Sequence, residues 1–224
     1  MTTINRDDII ARYSKVDTSN VADVLDEMGY PDQGLAADFL PYVSGAEKIA
    51  GFAYTIRGQM TPYPLGGDAE KMKACQGLSP GDVSVWSGDG AGICYFGELI
   101  AIGMKERGCV GALVDGGIRD LRYLSQHGFP VFAKYRTPVQ SIGRWKVNGY
   151  NIPVSVSGAT RKDVTITPGD FILADEDGAI AIPAALIEPV LIRTEELTRR
   201  EEDIRAEILG GLSLAEALKK YGHV

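Results

Sequence analysis

The 224-residue sequence predicts an α/β fold: one compact domain over residues 1–224, with a βαβαβ core, then mixed or antiparallel strands, then a helical tail over about 184–224. Three observations carry this prediction. Between Pro80 and Ala133 short apolar runs alternate with helical stretches, and glycine marks the changes between them. After Tyr150 the apolar runs shorten, and Pro168-Gly169-Asp170 and Asp175-Glu176-Asp177-Gly178 divide them. From Pro183 onward glutamate and arginine dominate and strand-like runs cease.

The elements follow in order. Asp17, Thr18, Ser19 and Asn20 are all capping types, and Val21, Val24, Leu25 and Met28 recur at helical spacing, so the first helix starts there. Gly29 and Pro31 end it. One or two strands are expected between Tyr42 and Ile56, strongest over Ala50–Ile56, and Met60–Gly67 reads as an irregular loop. Pro80-Gly81-Asp82 is a turn into the strand Val83–Trp86. Gly88, Gly90 and Gly92 form a loop that opens into a helix from about Tyr95 to Arg107, with Gly108 as its stop. Val110–Val114 is a continuous apolar strand, as expected when both faces are covered. A helix over Asp120–His127 ends at Gly128, and Pro130–Ala133 returns as a strand.

Such connections between parallel strands are right-handed crossovers, and ligands sit outside the carboxyl ends of the strands. The Gly88–Gly97 loop and the Asp115–Asp120 turn are therefore expected to face one crevice. Val154–Val156, Val164–Thr167, Phe171–Ala174 and Ala179–Ile182 read as short strands of an antiparallel or mixed sheet. Pro183–Leu209 is a long helical region with Pro189 as the candidate point of interruption. A last helix begins at the capping box Ser213-Leu214-Ala215-Glu216 and stops at Gly222.

Composition narrows the function classes. Hydrophobic residues make up 45% and charged residues 24%, the balance of a soluble globular protein. The net charge is −7 with no lysine/arginine cluster, so nucleic acid is not an expected partner. No apolar run approaches the roughly 18–20 residues that span a bilayer, and Met1–Arg12 has no signal-peptide core. No membrane partner and a cytoplasmic location are the expectations. Cys75, Cys94 and Cys109 are odd in number and widely spaced, which favours free thiols. His127 and His223 are the only histidines, so any metal must be held mainly by oxygen, which favours Mg²⁺ or Mn²⁺.

Arg119 follows Asp115-Gly116-Gly117-Ile118 at an expected strand end. Its planar fork suits a carboxylate, and the glycine pair would let a ligand approach the backbone. An ion pair with Glu98 or Asp115, or a solvated surface arginine, is the alternative. Asp120 is either a helix cap or a metal ligand, and beside Arg119 the two groups can hold both halves of a metal–carboxylate complex. Glu98 lies near a helix start, where the N–H groups from Gly97 to Ile100 can bind an anion. Rossmann, P-loop, G-x-S-x-G and HExxH patterns are absent. Lys105 and Lys134 read as solvated surface lysines.

At Gly97-Glu98-Leu99, at Arg119-Asp120 twenty residues beyond Glu98, at His127–Ala133 and at Thr167–Asp170, the chain resembles a known family. It is that of the 4-hydroxy-4-methyl-2-oxoglutarate/4-carboxy-4-hydroxy-2-oxoadipate aldolases, which share a fold with the regulators of ribonuclease E activity A. The resemblance runs from Ser19–Asp26 to Ala174–Gly178. It implies a fold of the swivelling phosphohistidine-domain type, assembled as homotrimers or homohexamers with active sites between subunits. It implies that Arg119 binds a pyruvyl carboxylate, that Asp120 binds Mg²⁺ or Mn²⁺, and that the backbone from Gly97 through Leu99 and Ile100 helps hold the pyruvyl group. Glu98 would stand close to the metal's water shell and position a water as base.

Aldolase members carry a further acid three positions after the aspartate, where this chain has Tyr123. The expected activity is that of a metal-dependent lyase acting on a small 2-oxo acid through a pyruvate enolate. Retro-aldol cleavage of a 4-hydroxy-2-oxo diacid and decarboxylation of oxaloacetate share that enolate. The rival is a non-catalytic regulator that binds a ribonuclease.

Overall fold

A computed structural model describes residues 5–222, so His223 lies outside the described residues. The first element, α1 (Arg6–Tyr13), precedes the helix expected to be first, and Asn5 caps it by accepting from Asp8 N at 3.3 Å. Only Ile9 and Tyr13 are buried along it, too few to give a readable apolar stripe. The expected helix is α2 (Thr18–Glu27). Asp17 makes no side-chain cap there; instead buried Asp175 accepts from Thr18 N at 2.8 Å and from Thr18 Oγ1 at 2.6 Å.

Next come β1 (Leu40–Pro41), the twelve-residue β2 (Ile49–Met60) and α3 (Ala69–Gln76), the last in a stretch where the sequence suggested no element. Then follow β3 (Asp82–Gly88), β4 (Cys94–Phe96), α4 (Glu98–Lys105), β5 (Gly111–Ile118), α5 (Leu121–His127) and β6 (Val131–Arg136). β3, β5 and β6 pair in parallel with β5 in the middle, which is the expected βαβαβ core.

Two local expectations are corrected. Tyr95 lies in β4, and the helix begins only at Glu98, because Cys94 and Phe96 pair with Gly117 and Ile118 of β5. Gly116 and Gly117 lie inside β5 and make no turn. Their missing side chains make room for aromatic rings: a β-carbon would fall 2.3 Å from the Tyr95 ring at Gly116 and 2.4 Å from the Tyr135 ring at Gly117. The space beside the glycine pair is therefore taken up by the Tyr95 and Tyr135 rings.

β7 (Trp145–Tyr150), β8 (Val154–Ser157), β9 (Asp163–Ile166), β10 (Phe171–Asp175) and β11 (Gly178–Ile182) complete the strands. Nine strands form one mixed sheet in the order β1-β6-β5-β3-β2-β10-β11, with β4 added to β5 and β7 to β2. β10 is antiparallel to both β2 and β11, whereas β8 and β9 form a hairpin of their own. The sheet nearly closes on itself, and helices cover it to give a single α/β domain.

After a 3₁₀ turn at Ala184–Leu186, α6 (Ile187–Leu209) runs through Pro189 without interruption. Proline sits in its first turn, where an N–H would have no intrahelical acceptor. α7 (Leu214–Tyr221) has the expected capping box and stops at Gly222, at φ 83°. Arg12 clamps α1 to α6 through two bonds to Glu195, at 2.8 and 2.7 Å.

Apolar packing falls into three groups. One surrounds Tyr13, Leu25, Phe171 and Leu191. A second includes Phe39, Val85, Phe132 and Ile166. The third, built on Trp86, Tyr95, Phe96 and Trp145, underlies the candidate site. Among the described residues no helix is long and apolar enough to cross a membrane.

Candidate active site

Gly97 precedes α4 in an extended conformation that any residue adopts, φ −161° and ψ −176°. Glycine is needed there for space. A β-carbon would lie 2.6 Å from Asp120 Oδ2 and 3.3 Å from Arg119 Cγ. The Gly88–Gly97 and Asp115–Asp120 segments therefore do meet, at Gly97 and Asp120, and Arg119 N donates to Phe96 O at 3.1 Å to extend the β4–β5 ladder.

Asp120 adopts the left-handed conformation, φ 64° and ψ 32°; Asn151 is the other non-glycine residue with positive φ among those described. That conformation costs an L-residue about 1–2 kcal/mol, with aspartate among the few types that tolerate it. The Asp120 side chain does not cap its own helix. Its Oδ2 instead accepts from Glu98 N, the first N–H of α4, at 3.3 Å, and lies 3.5 Å from Arg119 Nε. Asp120 therefore does not cap α5 with its side chain; its carboxylate holds the first N–H of α4 instead.

The first bond within α4 runs from Ala101 N to Gly97 O. This leaves the N–H groups of Leu99 and Ile100 available at the helix start. Gly97, Leu99, Ile100, Arg119 and Asp120 all line one pocket of about 290 Å³. Glu98 offers that pocket no side chain. Its Oε1 lies 3.5 Å from His127 Nε2, and its backbone N–H holds Asp120.

Asp115 does not join the site or pair with Arg119. It accepts from Ser157 N and Ser157 Oγ, each at 3.1 Å, and faces Lys134 Nζ at 3.6 Å. Burial raises its carboxyl above the ordinary value, with Lys134 and Ser157 pulling the other way. Lys134 also pairs with Asp38 at 3.2 Å, so it is no free surface lysine, and Lys105 donates to His127 O at 2.6 Å.

The sequence reading missed Lys71, a half-buried residue of α3 that lines the pocket. Its Nζ donates to Tyr95 O and lies 5.4 and 5.8 Å from the ring centres of Trp86 and Trp145. Desolvation in these surroundings lowers its pKa, the nearby thiols and Asp68 oppose the shift, and Arg119 adds to it. The available signal was Asp68 ahead of Ala69–Ala74, a cap followed mostly by strong helix formers. Asp68 does cap α3, accepting from Lys71 N at 3.1 Å, and its other oxygen accepts from Val147 N at 2.8 Å.

The remaining walls include Tyr63, Met72, Ile142 and Trp145, with Trp145 stacked on Tyr95 at 4.4 Å. Cys94 also lines the pocket, and burial raises its thiol pKa, so it offers no ready thiolate. Among the described residues no three His, Cys, Asp or Glu side chains group as a metal cage. Asp120 alone presents an accessible carboxylate. A single hard oxygen fits a cation such as Mg²⁺ that keeps several waters and takes further oxygens from its substrate.

Comparisons with known proteins show the family and the fold. Residues 18–181 match a family model described as RraA-like, Aldolase/RraA. A Halalkalibacterium halodurans protein, provisionally named 4-hydroxy-4-methyl-2-oxoglutarate aldolase, is 29% identical over 198 residues, 87% of this chain and 86% of that one. Streptomyces coelicolor RraAS2, described as an unusual member of the RNase ES inhibitor RraA protein family, superposes with a TM-score of 0.71 at 25% identity, covering 88% of this chain and 96% of that one. An uncharacterized protein from Pseudomonas syringae pv. tomato gives 0.83 at 25% identity, covering 96% and 94%. By the extent of the matched region and by its fold, the chain belongs to the RraA-like family of aldolases and RraA proteins.

Proposed function

We propose that this chain is a divalent-metal-dependent lyase that cleaves a small 2-oxo acid through a pyruvate enolate. One observation carries the proposal. Asp120 takes a left-handed backbone and turns its carboxylate from its own helix toward Arg119 and the start of α4. The carboxylate that holds the first N–H of α4 thus also stands beside Arg119 on the pocket wall, where a cation and a substrate carboxylate would meet. The names of the relatives support a lyase of the aldolase type.

Arg119 would take the substrate carboxylate in its two-pronged fork, and the N–H groups of Leu99 and Ile100 would orient the same end of the molecule. Asp120 would hold Mg²⁺ or Mn²⁺, which when bound supplies Lewis-acid polarisation of the 2-oxo group. As the C3–C4 bond breaks, its electrons move toward C2 and negative charge grows at the end held by Arg119 and the α4 start. These groups stand in place before charge develops, so little reorganisation is required. For retro-aldol cleavage the base would be a water, positioned from outside the pocket lining by Glu98, which stands beside His127. Decarboxylation of oxaloacetate needs no such base and leads to the same enolate.

The same reading includes assembly as a trimer or hexamer with sites between subunits, and a cytoplasmic location. Leu99 lines the pocket yet is 79% exposed, as a residue completed by a neighbouring subunit would be. The test is pyruvate release from oxaloacetate and from a 4-hydroxy-2-oxo diacid, with Mg²⁺ and then with EDTA. Turnover that stops on chelation and returns with Mg²⁺ or Mn²⁺ supports the reading. Turnover that survives chelation, or ribonuclease binding with no turnover at all, overturns it.

A further inference from the structure

We propose that Lys71 is a specificity-determining residue: its ammonium holds a second anionic group of the substrate, at the end of the molecule away from Arg119. The assignment rests on the lyase reading, which places the first carboxylate on Arg119.

The observations are these. Lys71 and Arg119 are the two basic residues that line the pocket. Arg119 already faces a carboxylate, Asp120 Oδ2, at 3.5 Å. Lys71 makes no ion pair among the described residues, and its one hydrogen bond goes to the carbonyl of Tyr95. An ammonium carries three donors, so two remain unused. Asp68, the other acid lining the pocket, has both oxygens committed to Lys71 N and Val147 N. Gln140 and Ser141 are neutral, and most of the other walls are apolar or aromatic.

A cation in such surroundings is costly when it has no counterion. The two indole rings nearby offer only their faces, which compensate weakly. A neutral side chain of similar length, methionine for example, would fill the same volume at no electrostatic cost. The site keeps a charge instead, on a residue that lines the same pocket as the groups that would hold a 2-oxo acid. A substrate that brings its own second anion supplies the missing partner and draws on the unused donors. A monoanion leaves them unused.

A shallower groove on the other side of Arg119 and Asp120 offers a competing cation, Arg136, which is exposed. Its exposure makes it a poor discriminator, because water screens a charge there and an anion gains little from it.

The experiment compares two non-cleavable ligands of equal chain length, 2-oxoglutarate and 2-oxopentanoate, by calorimetric titration into the full chain with Mg²⁺ present. They differ only in the terminal carboxylate. The wild type is expected to bind 2-oxoglutarate about ten- to a hundred-fold more tightly, the worth of a charge-assisted hydrogen bond. Lys71→Met should bring that ratio close to one while leaving 2-oxopentanoate affinity in place. Lys71→Gln, which keeps a donor for the Tyr95 carbonyl, guards against a folding defect and should lose the preference as well. A ratio that persists in both variants, or one that Arg136→Ala abolishes, overturns the assignment to Lys71 alone. If neither ligand binds the wild type, the lyase reading falls and this inference falls with it.

Discussion

Asp120 Oδ2 stands 2.6 Å from the point a β-carbon at residue 97 would occupy. The residue ahead of one helix thus sets the carboxylate position at the start of another. Gly97→Ala should leave the fold intact, since the backbone at 97 is extended. The added methyl would push the Asp120 carboxylate out of place. Because displacement by about 1 Å costs on the order of a hundred-fold in rate, a drop of that size in kcat/KM is expected. A circular dichroism spectrum like that of the wild type, beside unchanged activity, would show that the close approach has no catalytic meaning.

Arg119 and Asp120 should give opposite signatures. Arg119→Lys keeps the charge but loses the fork, and kcat/KM should fall about ten- to a hundred-fold, the worth of a lost charge-assisted bond. Added Mg²⁺ should not restore it. Asp120→Asn should weaken the Mg²⁺ requirement curve instead, with partial recovery at high metal. Magnesium titrations of both variants decide the matter, and an identical response in the two would contradict separate roles.

Lys71 should cost stability in the unliganded protein. Burial holds its pKa below the ordinary 10.5, so the folded state binds that proton less readily than the unfolded chain. The cost is full below the folded pKa and disappears as pH rises through the ordinary value. Lys71→Met should therefore melt above the wild type at pH 7. The two melting curves should converge above pH 10.5, the ordinary lysine value. A variant that melts below the wild type at pH 7 would contradict the uncompensated charge.

The Arg12–Glu195 clamp should have the reverse pH profile. Its hydrogen bond to Arg12 holds the Glu195 carboxyl below the ordinary 4.5, so its contribution is present above that pH and is lost as pH falls through the folded value. Both side chains are about one-third exposed, which limits the pair to about 0.5–1 kcal/mol. Arg12→Met should lower Tm by a few degrees at pH 7 and by nothing measurable in acid. Thermal melts at the two pH values check this.

The parts that were legible in the sequence have strong punctuation. Pro80-Gly81, Gly108 and Gly128 bound the βαβαβ core, and the core formed where they placed it. α1 and α3 escaped because each buries only two residues, which leaves no stripe to read. The Gly116-Gly117 pair suggested a turn, yet rings far along the chain or across the sheet claim that space. Sequence spacing alone does not show which partner a glycine makes room for. Arg119, Asp120 and the Gly97–Ile100 segment were legible because their order along the chain matches their meeting in space. Lys71 was not, since its significance comes from Trp86, Tyr95 and Trp145, three residues brought together only by the fold.

The three-residue β4 has a practical consequence. Two pairings and the bond from Arg119 N to Phe96 O are what join it to β5 at the pocket. Arg119 lies at the end of that ladder and is partly exposed, so its amide opens more readily than those in the middle of the long central strands. The Arg119 amide should therefore exchange its hydrogen for deuterium quickly in the empty protein and slowly once a 2-oxo acid bridges the two segments. Amides in the middle of β2 supply an internal reference that ligand does not move. Pocket occupancy becomes readable from one backbone proton, without any product being formed.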